Sequence, residues 1–506
     1  MHSTTGTIST PQHPCTALHT LFRTGSRTGS RTGTSPMRRR NLSRLTIAGI
    51  TLALVATAAP AATAGSGHGK GGDDRSKGHH RPAYKNIGYF TQWGVYGRDF
   101  QVNDLQTSGT AAKLTHINYA FGNVSAEGKC FTGNIPGQAD AWADYARPLD
   151  AANSVDGVAD TDTQPLAGNF NQLRKLKAKN PGLKVMISLG GWSWSTHFSD
   201  AVRTDASRKA LVASCIDLYI KGNLPQDGAR GGQGAAAGVF DGIDVDWEWP
   251  GSPANEGTVF RPEDKKNFTA LIREFRVQLD AYAKSQARAK AKSAKGKGHG
   301  HGHHKPKPKH YDLSAYVPAN PKAIDAGFDV KRLMKDFDFV NLQGYDYHVS
   351  GEKKTAQQSA LYAKNDFSVD QTVRDWIKRG APKNKLVVGM PTYGQGWTGV
   401  TGGGKGLGQP ATGPAPATWA NGYEDYKVLK KLAASGTFQV HRDTKNGHAW
   451  LFDGTTLWTY DDPQVLRAKT SYIRDKGLAG AMFWSLDGDT EDGELVTAVH
   501  RGLNRR

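Results

Sequence analysis

Cysteine is scarce in this chain, with three in 506 residues. Cys15 falls in an N-terminal leader, so the folded part holds at most one disulfide, between Cys130 and Cys215, and export would permit it. Two separate thiols, with Cys215 buried on the apolar face of a helix over 210–220, fit the sequence equally well. Apolar residues are also few, 37% of the total, which is low for a globular protein unless its ends are of low complexity. Long apolar runs are scarce too: the best, 45–59, is short and rich in Ala and Thr, which favours a cleaved signal over the alternative of a single membrane anchor. Acidic residues are missing from whole tracts. Residues 1–64 carry seven Arg and no acid, residues 281–310 nine Lys or Arg and no acid, and residues 65–82 four bases against two acids. These tracts hold all but about one unit of the formal charge of +19. The folded body is therefore near neutral, and the basic composition gives no reason to expect a nucleic-acid partner.

The leader divides in two. Arg23-Thr24-Gly25-Ser26 and Arg27-Thr28-Gly29-Ser30 repeat a tetrapeptide without core-forming residues. Met37 then opens a secretory signal: Arg38, Arg39 and Arg40 form the basic region, 45–59 the apolar stretch, and Ala62-Thr63-Ala64 a small-residue cleavage site. Adjacent arginines also allow twin-arginine export. The expected organisation is leader and signal over 1–64, a flexible Gly/His/Lys linker over 65–83, and one globular domain over 84–506. The expected product is secreted and extracellular, with no membrane attachment after cleavage.

Within that domain short apolar runs recur at 86–91, 114–121, 183–189, 239–247, 311–317, 337–345, 386–390 and 480–486. Amphipathic stretches at 171–179, 208–221, 262–282 and 463–476 lie between them. Alternating strands and helices on this scale predict an α/β fold, a (β/α)8 TIM barrel. A doubly wound open sheet would need a Gly-rich turn after its first strand, and none is there. Two insertions stand out. Residues 284–310 read as a disordered basic and His-rich loop on the face opposite the barrel's active end, with a His-rich metal-binding tract or attachment to an anionic cell surface as the alternatives. Residues 398–458 read as an α+β insertion in the seventh β/α unit, on the active side.

The chemistry concentrates in Asp241-Gly242-Ile243-Asp244-Val245-Asp246-Trp247-Glu248. Strand parity puts Asp244, Asp246 and Glu248 on one face and Ile243, Val245 and Trp247 on the other. Like charges that close cannot all ionise, so one acid keeps its proton near neutral pH, as a general acid must. Asp241 departs from the parity and is read as stabilising the start of the strand. Other strand ends bring Ser188, Gly190, Gly191, Trp192 and Trp194, then Gln343, Tyr345 and Asp346, then Trp484. Aromatic faces stack on sugar rings while carboxylates and phenols bond the hydroxyls, so this company suggests a carbohydrate.

These residues resemble the family 18 glycoside hydrolases, the chitinases. Asp241-x-x-Asp244-x-Asp246-x-Glu248 matches the family signature and Ser188-x-Gly190-Gly191 its strand-three motif. Gly88-Tyr89-Phe90, Asn118-Tyr119-Ala120-Phe121, Pro391-x-Tyr393-Gly394 and Trp484 follow in order. The resemblance implies a monomeric, endo-acting chitinase that needs no cofactor or metal and takes chitin and chitooligosaccharides as partners. It implies Glu248 as proton donor, Asp246 as the group orienting the substrate's 2-acetamido nitrogen, Asp244 as the partner of Asp246, and Tyr345 as a further acetamido contact. Tyr89, Ser188, Trp192, Gln343, Asp346, Tyr393 and Trp484 become sugar-binding candidates. Two positions depart from the pattern: Gln343, where Met is expected, and Gln395, where Arg is frequent. The alternatives are an endo-β-N-acetylglucosaminidase acting on N-glycans and a silent chitin-binding lectin, which would lack the acid.

Overall fold

In the computed structural model, which describes residues 84–296 and 306–505, each apolar run becomes a strand. They span Lys85–Thr91, His116–Val124, Lys184–Gly190, Gly242–Asp246, Asp312–Val317, Val340–Leu342, Leu386–Pro391 and Gly480–Trp484. Neighbours pair in parallel in chain order, and the first strand pairs with both the second and the eighth, so the sheet closes on itself as a (β/α)8 barrel. A parallel sheet is covered on its outer face by crossover helices. Ile243 and Val245 are accordingly fully buried, and Trp247 stacks on Phe198 at 5.4 Å and meets Phe268 of the helix Asp264–Gly296 edge-on. The opposite parity of the fourth strand faces the barrel interior. That strand is shorter than the run that announced it, so Glu248 stands two residues beyond its last ladder position.

The amino ends of the strands are closed by ion pairs. Asp312 accepts from His116 at 3.0 Å and from Lys184 at 2.7 Å. Asp241 accepts from the Val185 amide and pairs with Lys177 and Lys309, so it pins the start of the fourth strand as its parity suggested.

Between the seventh and eighth strands, ahead of the crossover helix Pro463–Lys476, the chain forms an antiparallel sheet with the helix Tyr426–Ala434. It opens at Tyr393–Thr398 and closes at Leu457–Tyr460, which pair with each other. Its boundary therefore lies earlier than the expected 398, because Tyr393 follows the seventh barrel strand with only Thr392 between. Arg98, in the loop after the first strand and with its side chain 5% exposed, ties this sheet to the barrel: its guanidinium contacts Asp425 of the insertion and, at 3.2 Å, Asp487 after the eighth strand.

A second expectation is corrected at residues 284–310. The helix that begins at Asp264 runs unbroken to Gly296, well into the stretch read as a disordered loop. Ala287, Ala289 and Ala291 alternate with Arg288, Lys290 and Lys292, all strong helix formers, and extending an existing helix carries no nucleation cost. Residues 297–305, like the leader, signal and linker over 1–83, lie outside the described residues.

Cys130, in the hairpin after the second strand, is joined by a disulfide to Cys215 at the end of the helix Asp205–Cys215. The bond closes a span of 85 residues, for which chain entropy alone gives about 4–5 kcal/mol of stability. A Cys130→Ser/Cys215→Ser variant is expected to unfold at clearly lower urea concentration than the oxidised protein and to become insensitive to reductant. An unchanged midpoint would contradict that contribution.

Candidate active site

The site grows out of the inward parity of the fourth strand. Asp244 is fully buried at its middle and collects hydroxyls from strands on both sides. Tyr89 and Ser188 donate to one oxygen at 2.7 and 2.8 Å, Ser314 to the other at 2.5 Å, and the Asn341 amide approaches at 3.4 Å. Burial raises the Asp244 pKa while the Ser314, Tyr89 and Ser188 hydroxyls pull it back. Asp246, one inward position higher, is nearly as buried, and its Oδ1 has no hydrogen-bond partner in the protein. Burial, then the charges of Glu248 and Asp244, push its pKa well up. Glu248, 7% exposed at the mouth, is raised to about 8 by burial first and by the negative charge of Asp346 second. An acid held neutral at physiological pH beside two further carboxyls is suited to deliver a proton.

Glycine and serine set the placement of that acid. Gly190 has a φ of +107°, and a Cβ there would lie 2.5 Å from the Asp246 carbonyl oxygen, so only glycine lets the third strand end against the fourth. A Cβ on Gly191 would lie 2.5 Å from the Phe121 ring. The short turn that follows presents Ser195, whose fully buried hydroxyl accepts from the Glu248 amide at 2.9 Å and donates to the Gly191 carbonyl at 2.8 Å. Three non-proline peptides, Ala120-Phe121, Glu248-Trp249 and Trp484-Ser485, are cis; the first lies within the second strand, the second just past the fourth and the third at the end of the eighth.

Aromatic rings wall a narrow cavity above these acids. Trp484 forms one side, stacked on Phe121 at 5.6 Å and edge-on to Tyr89 at 5.3 Å. Tyr345 forms the other, stacked on Tyr316 at 6.0 Å and meeting Tyr393, which stacks at 4.2 Å on Tyr423 from the insertion. The cavity thus brings together Glu248, Asp246, Tyr345, Tyr89, Trp192, Asp346, Tyr393 and Trp484.

Two of the sugar-binding candidates lie elsewhere. Ser188 is fully buried beneath Asp244 and serves that carboxylate, because a hydroxyl one strand over and level with Asp244 has no route to the cavity. Gln343 is turned away: its side-chain oxygen accepts from the Ala319 amide at 3.0 Å, and it is not among the residues lining the cavity. Gln395, where the pattern departs, donates to Asp346 at 2.8 Å and accepts from the Ser350 amide, so it fixes the carboxylate that faces Glu248. Sequence reasoning passed over Tyr316, Tyr423 and Ser195. Tyr316 ends the fifth strand and was within reach of the same strand-end inspection; Tyr423 enters from the insertion, where no barrel register applies.

The pH dependence follows from the charge arrangement. A proton donor works only while protonated, so kcat/KM is expected to hold below pH 8 and to fall above it as Glu248 ionises. Asp346→Asn removes a negative charge that raises the Glu248 pKa, so the alkaline limb is expected at lower pH than in the wild type. A pH–rate profile with an unmoved limb would contradict the coupling.

Comparison with known proteins agrees with the geometry. The model of the family "Glycosyl hydrolases family 18" matches residues 85–489. Chitinase 63 of Streptomyces plicatus is 38% identical over 447 residues, 86% of this chain and 63% of that protein. Chitinase C of Streptomyces lividans is 38% identical over 438 residues, covering 84% of this chain and 60% of that one. This chain thus spans about three fifths of the length of those two relatives. Among solved structures, the catalytic domain of the psychrophilic chitinase B from Arthrobacter TAD20 is 46% identical, with a TM-score of 0.76 over 84% of this chain and 96% of its own. A barrel alone hosts many chemistries, but here the carboxylate ladder, the ring-lined cavity and a match over 85–489 coincide, and the chain belongs to family 18 of the glycosyl hydrolases.

Proposed function

We propose that this protein is a secreted chitinase that cleaves β-1,4 bonds between N-acetylglucosamine units with retention at the anomeric carbon, using the substrate's own acetamido group as nucleophile. The observation that carries the reading is Asp246 Oδ1, a buried carboxylate oxygen without a partner. A buried acceptor left unpaired costs free energy that a bound donor recovers, and the acetamido N–H of a sugar in the cavity is such a donor.

The steps follow from the ladder. Glu248 gives its proton to the glycosidic oxygen, and the C1–O bond breaks with its electron pair passing to that oxygen. The acetamido carbonyl oxygen bonds to C1 from the opposite face and an oxazolinium ion forms; family 18 departs in this way from the two-carboxylate scheme of most glycosidases. Asp246 holds the acetamido N–H and offsets the positive charge that develops, Asp244 supports Asp246 from below, and Tyr345 bonds the acetamido group. Trp484 provides the flat apolar face on which the sugar sits. Water, deprotonated by the Glu248 carboxylate, then opens the ring at C1 and returns the proton to Glu248.

The leader at 37–64 supports export, and among the described residues no helix is long and apolar enough to cross a membrane. The function is tested by incubating the protein with chitin oligomers and, separately, with a high-mannose glycoprotein. Cleavage of the oligomers and not of the glycoprotein is expected. Glycan release without oligomer cleavage would favour the endo-β-N-acetylglucosaminidase alternative and overturn the proposal.

A further inference from the structure

The helix Asp264–Gly296 has two physically different parts. Up to Ala283 it buries Phe268, Leu271, Ile272, Phe275 and Leu279 against the barrel. Beyond Ala283 the chain stays helical for thirteen residues, about 20 Å at the usual rise, and residues 284–293 are exposed apart from the partly shielded Ala287 and Ala291. Lys284, Arg288 and Lys292 recur at intervals of four, so they form one stripe with steps of about 6 Å. From residue 281 to residue 309 the sequence holds no acid. Beyond Ala283 the stripe carries no acid of its own; the nearest is Asp280, one turn before Lys284, which pairs with Arg276 at 3.4 Å, and the cations repel one another at i,i+4 spacing.

The extension leaves the barrel where the fifth strand begins, at the end opposite the cavity. Lys309, just past it, pairs with Asp241 at the foot of the fourth strand. A polymer on the stripe would leave the cavity open. We propose that this stripe docks a linear, base-free phosphodiester polymer of the poly(glycerol phosphate) type. Charge complementarity requires a polyanion with repeated charges, and Lys and Arg both pair well with phosphate oxygens. Sites for single-stranded nucleic acid add aromatic platforms on which bases stack, and residues 284–293 contain no aromatic side chain. Their apolar members are alanines only, too little to anchor a helix in a bilayer interface.

The test uses the full chain and a triple variant, Lys284→Gln/Arg288→Gln/Lys292→Gln, in exposed positions outside the catalytic machinery. Binding of fluorescent poly(glycerol phosphate) is measured across a salt series, with a single-stranded oligonucleotide of equal charge in parallel. The wild type is expected to bind with affinity that falls steeply with salt; the variant is expected to lose roughly tenfold or more at low salt, with its log–log slope flatter by about 2. Hydrolysis of soluble chitin oligomers should be the same in both. Equal binding by the variant, no binding by the wild type, or an oligonucleotide bound as tightly as the base-free polymer would overturn the proposal. Binding is read without turnover, so its outcome is independent of the hydrolytic reading.

Discussion

Replacing Glu248 with Gln is expected to lower kcat on chitin oligomers by roughly 10²–10⁴-fold while KM changes little. The carboxyl lies at the mouth of a buried ladder and is raised to about 8, chiefly by burial, so at neutral pH the wild type presents a proton that the amide cannot release. Gln keeps the shape and the Ser195 contact, which reaches the main-chain nitrogen of residue 248, so the loss isolates the proton. The residual activity should also lose the fall above pH 8. Turnover within tenfold of the wild type would mean that another group supplies the proton.

Asp246→Asn is expected to cost roughly 10²–10³-fold in kcat, with kcat/KM falling in step, because its charge acts on the transition state more than on bound substrate. The substitution keeps the volume and one acceptor oxygen, but an amide cannot take on the negative charge that would balance the forming oxazolinium. A change of less than about threefold, under ~1 kcal/mol, would contradict the role assigned to Asp246.

The ladder was legible because parity is a strict rule: in a strand buried on both faces, polar residues at every second position point one way, and here that way is the barrel axis. The eight strands were legible for a related reason, since each is an apolar run between amphipathic stretches. What sequence could not supply was depth. Ser188 and Tyr89 carry the same kind of signal, yet one lies beneath Asp244 and the other also reaches the cavity. Gln343 follows the sixth strand directly, two residues before Tyr345, but its side chain turns to the Ala319 amide. Ser195 acts through the backbone of Glu248, and no spacing rule links residues 53 apart. The basic stretch after Ala283 looked structureless because it lacks an apolar stripe, although its Ala, Lys and Arg content suits a helix continued from a packed one. The Cys130–Cys215 bond was one of two open readings, because pairing depends on proximity that only the fold defines.

Partially deacetylated chitin distinguishes a nucleophile that belongs to the substrate from one that belongs to the enzyme. Cleavage through an oxazolinium needs an N-acetyl group on the sugar whose C1 is attacked. Digestion followed by sequencing of the newly formed reducing ends should therefore yield N-acetylglucosamine at essentially every new end, whatever the residue on the other side of the cut. Free glucosamine at new reducing ends in proportion to its abundance in the polymer would contradict the account.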